Sequence, residues 1–184
     1  MWELYAMWTW LPGFLAASVA SRAVAGPTAG EGGGPMLDLL AFAAIAAGGA
    51  GCAWGGWAAD RIGRTRVVNL SMAASGVCSL LIGLFFGATL WILVPLALVW
   101  GFFVVSDSAQ FSALVTEVAP AYAVGTALTL QTSLGFLLTM VTIQLVPVMA
   151  DAVGWPWAFA GLALGPAAGI AAIRRLQRGG PARH

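Results

Sequence analysis

The sequence predicts an all-α integral membrane protein built from six transmembrane helices. Three observations carry that prediction. The 184-residue chain is 60% hydrophobic and only 8% charged, whereas a soluble domain carries about 25% charged residues. Its apolar residues fall into six runs, each near the roughly 20 residues that a helix needs to cross the hydrocarbon. The remaining polar residues gather in short turns. The most polar turn is Gly56-Trp-Ala-Ala-Asp60-Arg61-Ile-Gly63-Arg64-Thr-Arg66, whose three arginines mark a tight turn at a membrane surface.

The expected spans are 2–20, 37–59, 67–88, 90–116, 123–149 and 157–173, followed by a tail at 174–184. The first reads as a span and not as a signal peptide. It has no basic n-region, carries Glu3, and exceeds the usual apolar h-region. Glu3, Met7 and Trp10 share a face, and Glu3 reads as interfacial because only Met1 and Trp2 precede it. Gly, Pro and small residues make Ser21–Pro35 a loop, and its Gly32-Gly33-Gly34 run binds nothing by itself. In the second span, Gly51 and Gly55 form a small-xxx-small step that favours close helix packing.

The third and fourth spans are joined near Gly87-Ala88-Thr89. Pro95 is tolerated because it lies in or near a first turn, and Pro120 ends the fourth helix. Gly154-Trp155-Pro156-Trp157 turns the chain into the sixth span, with two tryptophans positioned to anchor at an interface. Gly161, Gly165 and Gly169 repeat the small-xxx-small step around Pro166, where a kink is expected.

Arginine placement predicts orientation, because short cytoplasmic loops carry the excess of basic residues. Arg61, Arg64 and Arg66 follow the second span. Arg174, Arg175, Arg178 and Arg183 follow the sixth, and only Arg22 falls on the other side. Both termini are therefore expected in the cytoplasm, in a plasma or inner membrane. No basic face or motif points to nucleic acid. Cys52 and Cys78 lie in apolar segments and read as small buried hydrophobes, and His184 reads as a solvated tail residue, so no metal site is expected. No nucleophile stands with a base and no phosphate-binding glycine loop is present, so the chain does not read as an enzyme.

Charged and polar groups inside spans are costly and usually functional. Asp107 is the strongest candidate. Phe103, Asp107, Gln110 and Leu114 share a helix face, which makes Asp107 and Gln110 candidate pathway-lining residues. The alternative is an interfacial acid hydrogen-bonded to Ser106 or Ser108. In the fifth span Gln131, Gly135, Thr139 and Thr142 form a polar stripe. That stripe either lines a cavity, through Gln131 and Thr139, or serves helix packing. Gly56 is expected to let one helix end pass close to another, and Gly63 to adopt a backbone geometry that other residues resist.

The arginine turn resembles the signature loop of the major facilitator superfamily, Gly-x-Leu-Ala-Asp-Arg/Lys-x-Gly-Arg/Lys-Arg/Lys. Gly56, Ala59, Asp60, Arg61, Gly63 and Arg64 match it. Ala58 replaces the leucine, and Thr65 replaces the last basic residue, with Arg66 one step later. A second stretch, Thr116-Glu117-Val-Ala-Pro120 followed by Gly125-Thr126-Ala127, is similar to the family's Glu-x-x-Pro…Arg-Gly-x-Ala segment, with Val124 at the arginine position. The order of these elements resembles the C-terminal six helices of a twelve-helix transporter.

That resemblance implies two three-helix inverted repeats and secondary active transport of a small solute by alternating access between two halves. It also implies a cytoplasmic latch in which Glu117, ahead of the deeper Asp107, pairs Arg61 or Arg64. Asp60 would cap a helix of the other half and stay unpaired here. The implied partners are a solute, the bilayer, and an N-terminal six-helix half or a second copy. No cofactor is implied, and the residues do not choose between proton and sodium coupling. The alternatives are a non-transporting assembly or regulatory subunit, or a truncated inactive fragment.

Overall fold

The computed structural model describes residues 1–24 and 34–179. The loop centred on Gly32-Gly33, the end of the tail with Arg183, and His184 lie outside them. The described chain is helical nearly throughout: α1 (Leu4–Val24), α2 (Gly34–Ile62), α3 (Arg64–Leu84), α4 (Leu90–Val118), α5 (Val124–Val153), α6 (Trp155–Ala158), a 3₁₀ turn (Ala160–Ala163) and α7 (Leu164–Gly179). The last three make one leg, so the bundle has six.

Five segments among the described residues are long and apolar enough to cross a membrane, namely α2, α3, α4, α5 and the broken leg from Trp155 to Arg175. α1 is long enough at 21 residues but falls outside that set. Trp8, Thr9, Trp10 and Pro12 dilute its hydropathy.

Glycine makes the tight turns. Gly63 (φ 89°), Gly87 (φ 79°) and Gly154 (φ 86°) hold left-handed backbone that side-chain-bearing residues resist. Gly63 alone separates α2 from α3. The fourth helix ends at Val118, just before Pro120, because the proline ring disfavours continuation. Pro95 lies past the first turn of α4, and the helix runs through it.

Small residues set the packing. A side chain on Gly51 would strike the backbone at Phe102, one on Gly101 the backbone at Ala44, and one on Gly48 the side chain of Val105. α2 and α4 therefore touch backbone to backbone over several turns. Gly83 likewise lies against the Pro156 carbonyl. Around these contacts the core fills with Phe14, Trp100, Phe159, Met7, Leu11 and Ile82, all buried. Phe159 sits edge-on to Trp100 at 5.1 Å between ring centres and packs on Phe14 at 5.3 Å.

Four expectations need correction. The sixth span is broken at Ala160–Ala163, while Pro166 sits in the first turn of α7, where a missing N–H is harmless. Trp155 packs inward on Phe14 at 6.2 Å, leaving Trp157 as the exposed tryptophan. Nothing lies within 4 Å of a side chain built on Gly56, so no close approach is made there among the described residues. Finally, Glu3 is not interfacial. It is only 4% exposed, because α1 starts deep in the bundle against α3 and α4.

Candidate functional site

Two polar constellations stand out, one at the α2–α3 turn and one within the bundle. At the turn, Gly63 delivers Arg64 as the first residue of α3. Its Nε donates to Glu117 Oε1 at 2.9 Å, and its Nη1 donates to Gln110 Oε1 at 3.0 Å. Both acceptors belong to α4, two helical turns apart. Gln110 is buried and Glu117 is half-exposed.

The seat for Gln110 comes from α2. A side chain on Gly55 would strike Ser106 Oγ and crowd the Gln110 amide. Glycine in α2 thus makes room for a glutamine of α4, which in turn receives an arginine of α3. Gln110 was expected to line a pathway, but the structure places it with Arg64. Arg61 points elsewhere, its guanidinium 4.2 Å from the Trp57 ring centre. This is a cation–π contact one turn apart on α2. Asp60 and Arg66 are exposed.

The second constellation surrounds a cavity of about 360 Å³ between the start of α1 and α3, α4, α5 and α7. Its polar lining includes Glu3, Asp107, Ser108 and Gln131, with Phe111 and Trp2 among the aromatic walls. Asp107 is 8% exposed, and its Oδ1 accepts from Ser108 Oγ at 3.1 Å. Ser106, the other expected partner, instead meets Ser71 Oγ at 3.4 Å. Gln131 Nε2 lies 3.5 Å from Ser112 Oγ, while its Oε1 is buried with no donor.

Glu3 is held more firmly. Its Oε1 accepts from the Trp100 indole at 2.5 Å and its Oε2 from Ser75 Oγ at 3.0 Å. A buried carboxyl is tolerated only where such partners exist. Thr139 is buried beside the cavity without lining it, and its hydroxyl donates to the Gly135 carbonyl at 2.9 Å. Thr142 bonds back to Thr139 O in the same way. Of the α5 stripe, Gln131 and Gly135 face the cavity and the threonines serve packing.

Sequence reasoning missed the Glu3–Trp100–Ser75 cluster. A signal was present. Ser71, Ser75 and Ser79 recur every fourth residue in α3, and all three are buried. That stripe marks a polar seam in an otherwise apolar helix, and an acid on a neighbouring helix is its natural complement.

No family model and no curated protein matches the sequence. The fold does have a counterpart among solved structures. It is similar to the inward open conformation of the xylose transporter XylE from E. coli, with a TM-score of 0.69 over 94% of this chain at 15% sequence identity. The match takes in 46% of the transporter, so the chain spans about half the length of the structure it resembles. At that identity the likeness is one of fold. The chain is therefore an all-α, six-legged membrane bundle whose architecture corresponds to about half of a major facilitator fold.

Proposed function

We propose that the chain is the C-terminal six-helix half of a major-facilitator-type secondary transporter, forming one wall of a solute pathway that opens by alternating access. The observation that carries this reading is the Arg64 junction. A Gly-x-x-Ala-Asp-Arg-x-Gly-Arg turn, within a fold that corresponds to half of such a transporter, ties the start of α3 to Gln110 and Glu117 of α4. A static anchor would not need a glutamine buried under Gly55 to receive one arginine. A latch that must make and break in register would.

In this reading the turn and the end of α7 face the cytoplasm and the membrane is a plasma or inner membrane, while the start of the chain, with Met1 and Glu3 in the cavity lining, lies within the bundle and not at that surface. Asp107 and Gln131 contribute to the solute-facing polar surface. The second wall is an N-terminal six-helix half or a second copy related by a two-fold axis. No enzymatic step is involved.

The test is reconstitution. The chain is incorporated into proteoliposomes alone and with a co-expressed six-helix N-terminal half, and uptake of a labelled solute panel is followed under imposed proton and sodium gradients. Gradient-driven uptake that requires both halves, and is lost in Arg64→Ala, supports the proposal. Uptake by neither preparation with any solute would leave a non-transporting membrane subunit as the reading.

A further inference from the structure

We infer that Trp10 and Pro147 form a releasable joint between α1 and α5, in which the indole supplies a hydrogen bond that the proline withholds and so fixes the far end of α5, opposite Arg64. Pro147 lies inside α5. A proline has no backbone N–H, and its ring crowds the carbonyl four residues earlier. In α5 that carbonyl belongs to Ile143, and the Trp10 Nε1 of α1 donates to it at 2.8 Å. The indole has a single donor, and this carbonyl takes it. Membrane helices keep an internal proline where a neighbouring helix satisfies the group that it frees, which is what Trp10 does.

The two sides of the joint differ. Before it, α5 is held. Tyr5 of α1 packs on Phe136 with ring centres 5.7 Å apart, and Thr139, Thr142 and Val146 are buried. The cavity-facing Gln131 and Gly135 lie on the near side of this held stretch. Past the joint, Val148, Asp151, Ala152 and Val153 are exposed, while Ala150 touches the core. The chain then turns at Gly154 and comes back to α1, where Trp155 packs on Phe14. The stretch from Pro147 to Val153 is therefore an arm with a firm root and a thin seat.

The freed carbonyl has a second donor within reach. When the indole leaves, Ile143 O can accept from the N–H of Val148 by an i→i+5 bond, a single π-type turn. That exchange keeps the carbonyl satisfied in hydrocarbon and re-aims everything beyond it. α5 thus has two hydrogen-bonded arrangements, one with Trp10 and one without. The inference rests on this contact and not on transport. In the transport reading, the arm moves one end of the pathway wall and leaves the cavity lining in place.

The experiment follows hydrogen–deuterium exchange of the purified full chain in detergent, at the amides of Val148–Val153. W10F keeps an aromatic ring and loses the donor, and it should raise exchange there by about five-fold or more, since exchange reports local opening. P147A restores a backbone N–H to Ile143 O, so W10F/P147A should return to within about two-fold of the unaltered chain. W91F, at a tryptophan that is 89% exposed, should change nothing. Spin labels at Thr89 and Val153, in a C52A/C78A background, report the position of the arm. Their distance distribution should be narrow in the unaltered chain, gain a second population in W10F, and narrow again in W10F/P147A. Unchanged exchange in W10F would overturn the inference. Equal effects of W10F with and without Pro147 would make the indole a packing group and overturn it too. Raised exchange with a single, unshifted distance would leave a static bond and no moving arm, with the same result. If W10F does not fold, recovery of folded chain in W10F/P147A supports the joint, and failure of both overturns it.

Discussion

Arg64 and Glu117 meet at 2.9 Å across the helix ends of α3 and α4, and the same guanidinium reaches Gln110 at 3.0 Å. The two acceptors differ in kind. Glu117 is 53% exposed and keeps water as an alternative partner. Gln110 is 4% exposed and has little access to it.

This difference predicts an asymmetric pair of mutants. Glu117→Ala should change stability by about 0–1 kcal/mol, the range for an exposed ion pair. Arg64→Ala should cost more, about 1–3 kcal/mol, because it strands a buried amide acceptor. Adding Gln110→Leu to Arg64→Ala should recover part of that loss. Thermal unfolding of the purified chain in detergent measures all three. In a reconstituted two-half transporter, Arg64→Ala and Glu117→Ala should also be non-additive in uptake. Strict additivity would reduce the arginine to a topology anchor.

Glu3 yields a second prediction. Glu3→Ala leaves the Trp100 indole without its acceptor, while the Ser75 hydroxyl keeps the Met72 carbonyl at 3.3 Å, and should destabilise the bundle by about 1–3 kcal/mol. Glu3→Gln, which keeps one carbonyl oxygen, should be milder. Near-ultraviolet circular dichroism, which reports on packed tryptophans such as Trp100, should show a loss of fixed environment for the alanine variant. Equal melting temperatures for the two variants would count against the clamp.

Neighbouring glycines of α2 should behave in opposite ways. Gly48 and Gly51 face α4, so alanine at either overpacks the contact and should cost about 1–3 kcal/mol. Gly49 and Gly56 have nothing within 4 Å of a would-be side chain. Alanine there should be neutral, or stabilising by up to about 1 kcal/mol from helix propensity. Detergent melting curves of the four single mutants would decide the matter, and uniform destabilisation would sink this reading of the α2–α4 contact.

Orientation can be checked by thiol labelling in cells. Cysteine at Thr89, in the α3–α4 turn, should react with an impermeant maleimide from outside, and cysteine at Ile62 should not. Native Cys52 and Cys78 are at least partly buried and should give little background. The reverse pattern would invert the assigned sides.

Much of the fold was legible because a bilayer imposes a coarse rule. A run of about 20 apolar residues becomes a helix, and glycine or proline ends it. Gly63, Gly87 and Gly154 were readable as turns for that reason. The break at Ala160–Ala163 was not, since Ala-Gly-Leu-Ala has no residue that forbids an α-helix, and the change of direction is decided by Phe159 packing on Phe14 and Trp100. Within the site, the nearness of Glu117 to the turn followed from helix ends sharing a membrane surface. That Gln110 belongs to Arg64 while Asp107 faces a cavity could not follow from spacing. The two lie three residues apart on one helix face, and only the gap at Gly55 separates their roles. Glu3 was misjudged because depth was counted from the chain's first residue, whereas it is set by where α1 docks.

The one-residue turn at Gly63 also has a mechanical consequence. α2 is seated against α4 through bare backbone at Gly51 and Gly101, α3 is hinged to α2 at Gly63, and Arg64 ties the foot of α3 back to α4. Three struts joined at three corners make a closed truss, which resists shear until one joint is released. Of the three joints, two are covalent or sterically fixed and one is a pair of hydrogen bonds. Any motion of α3 against its neighbours at this end of the bundle must therefore begin by undoing Arg64.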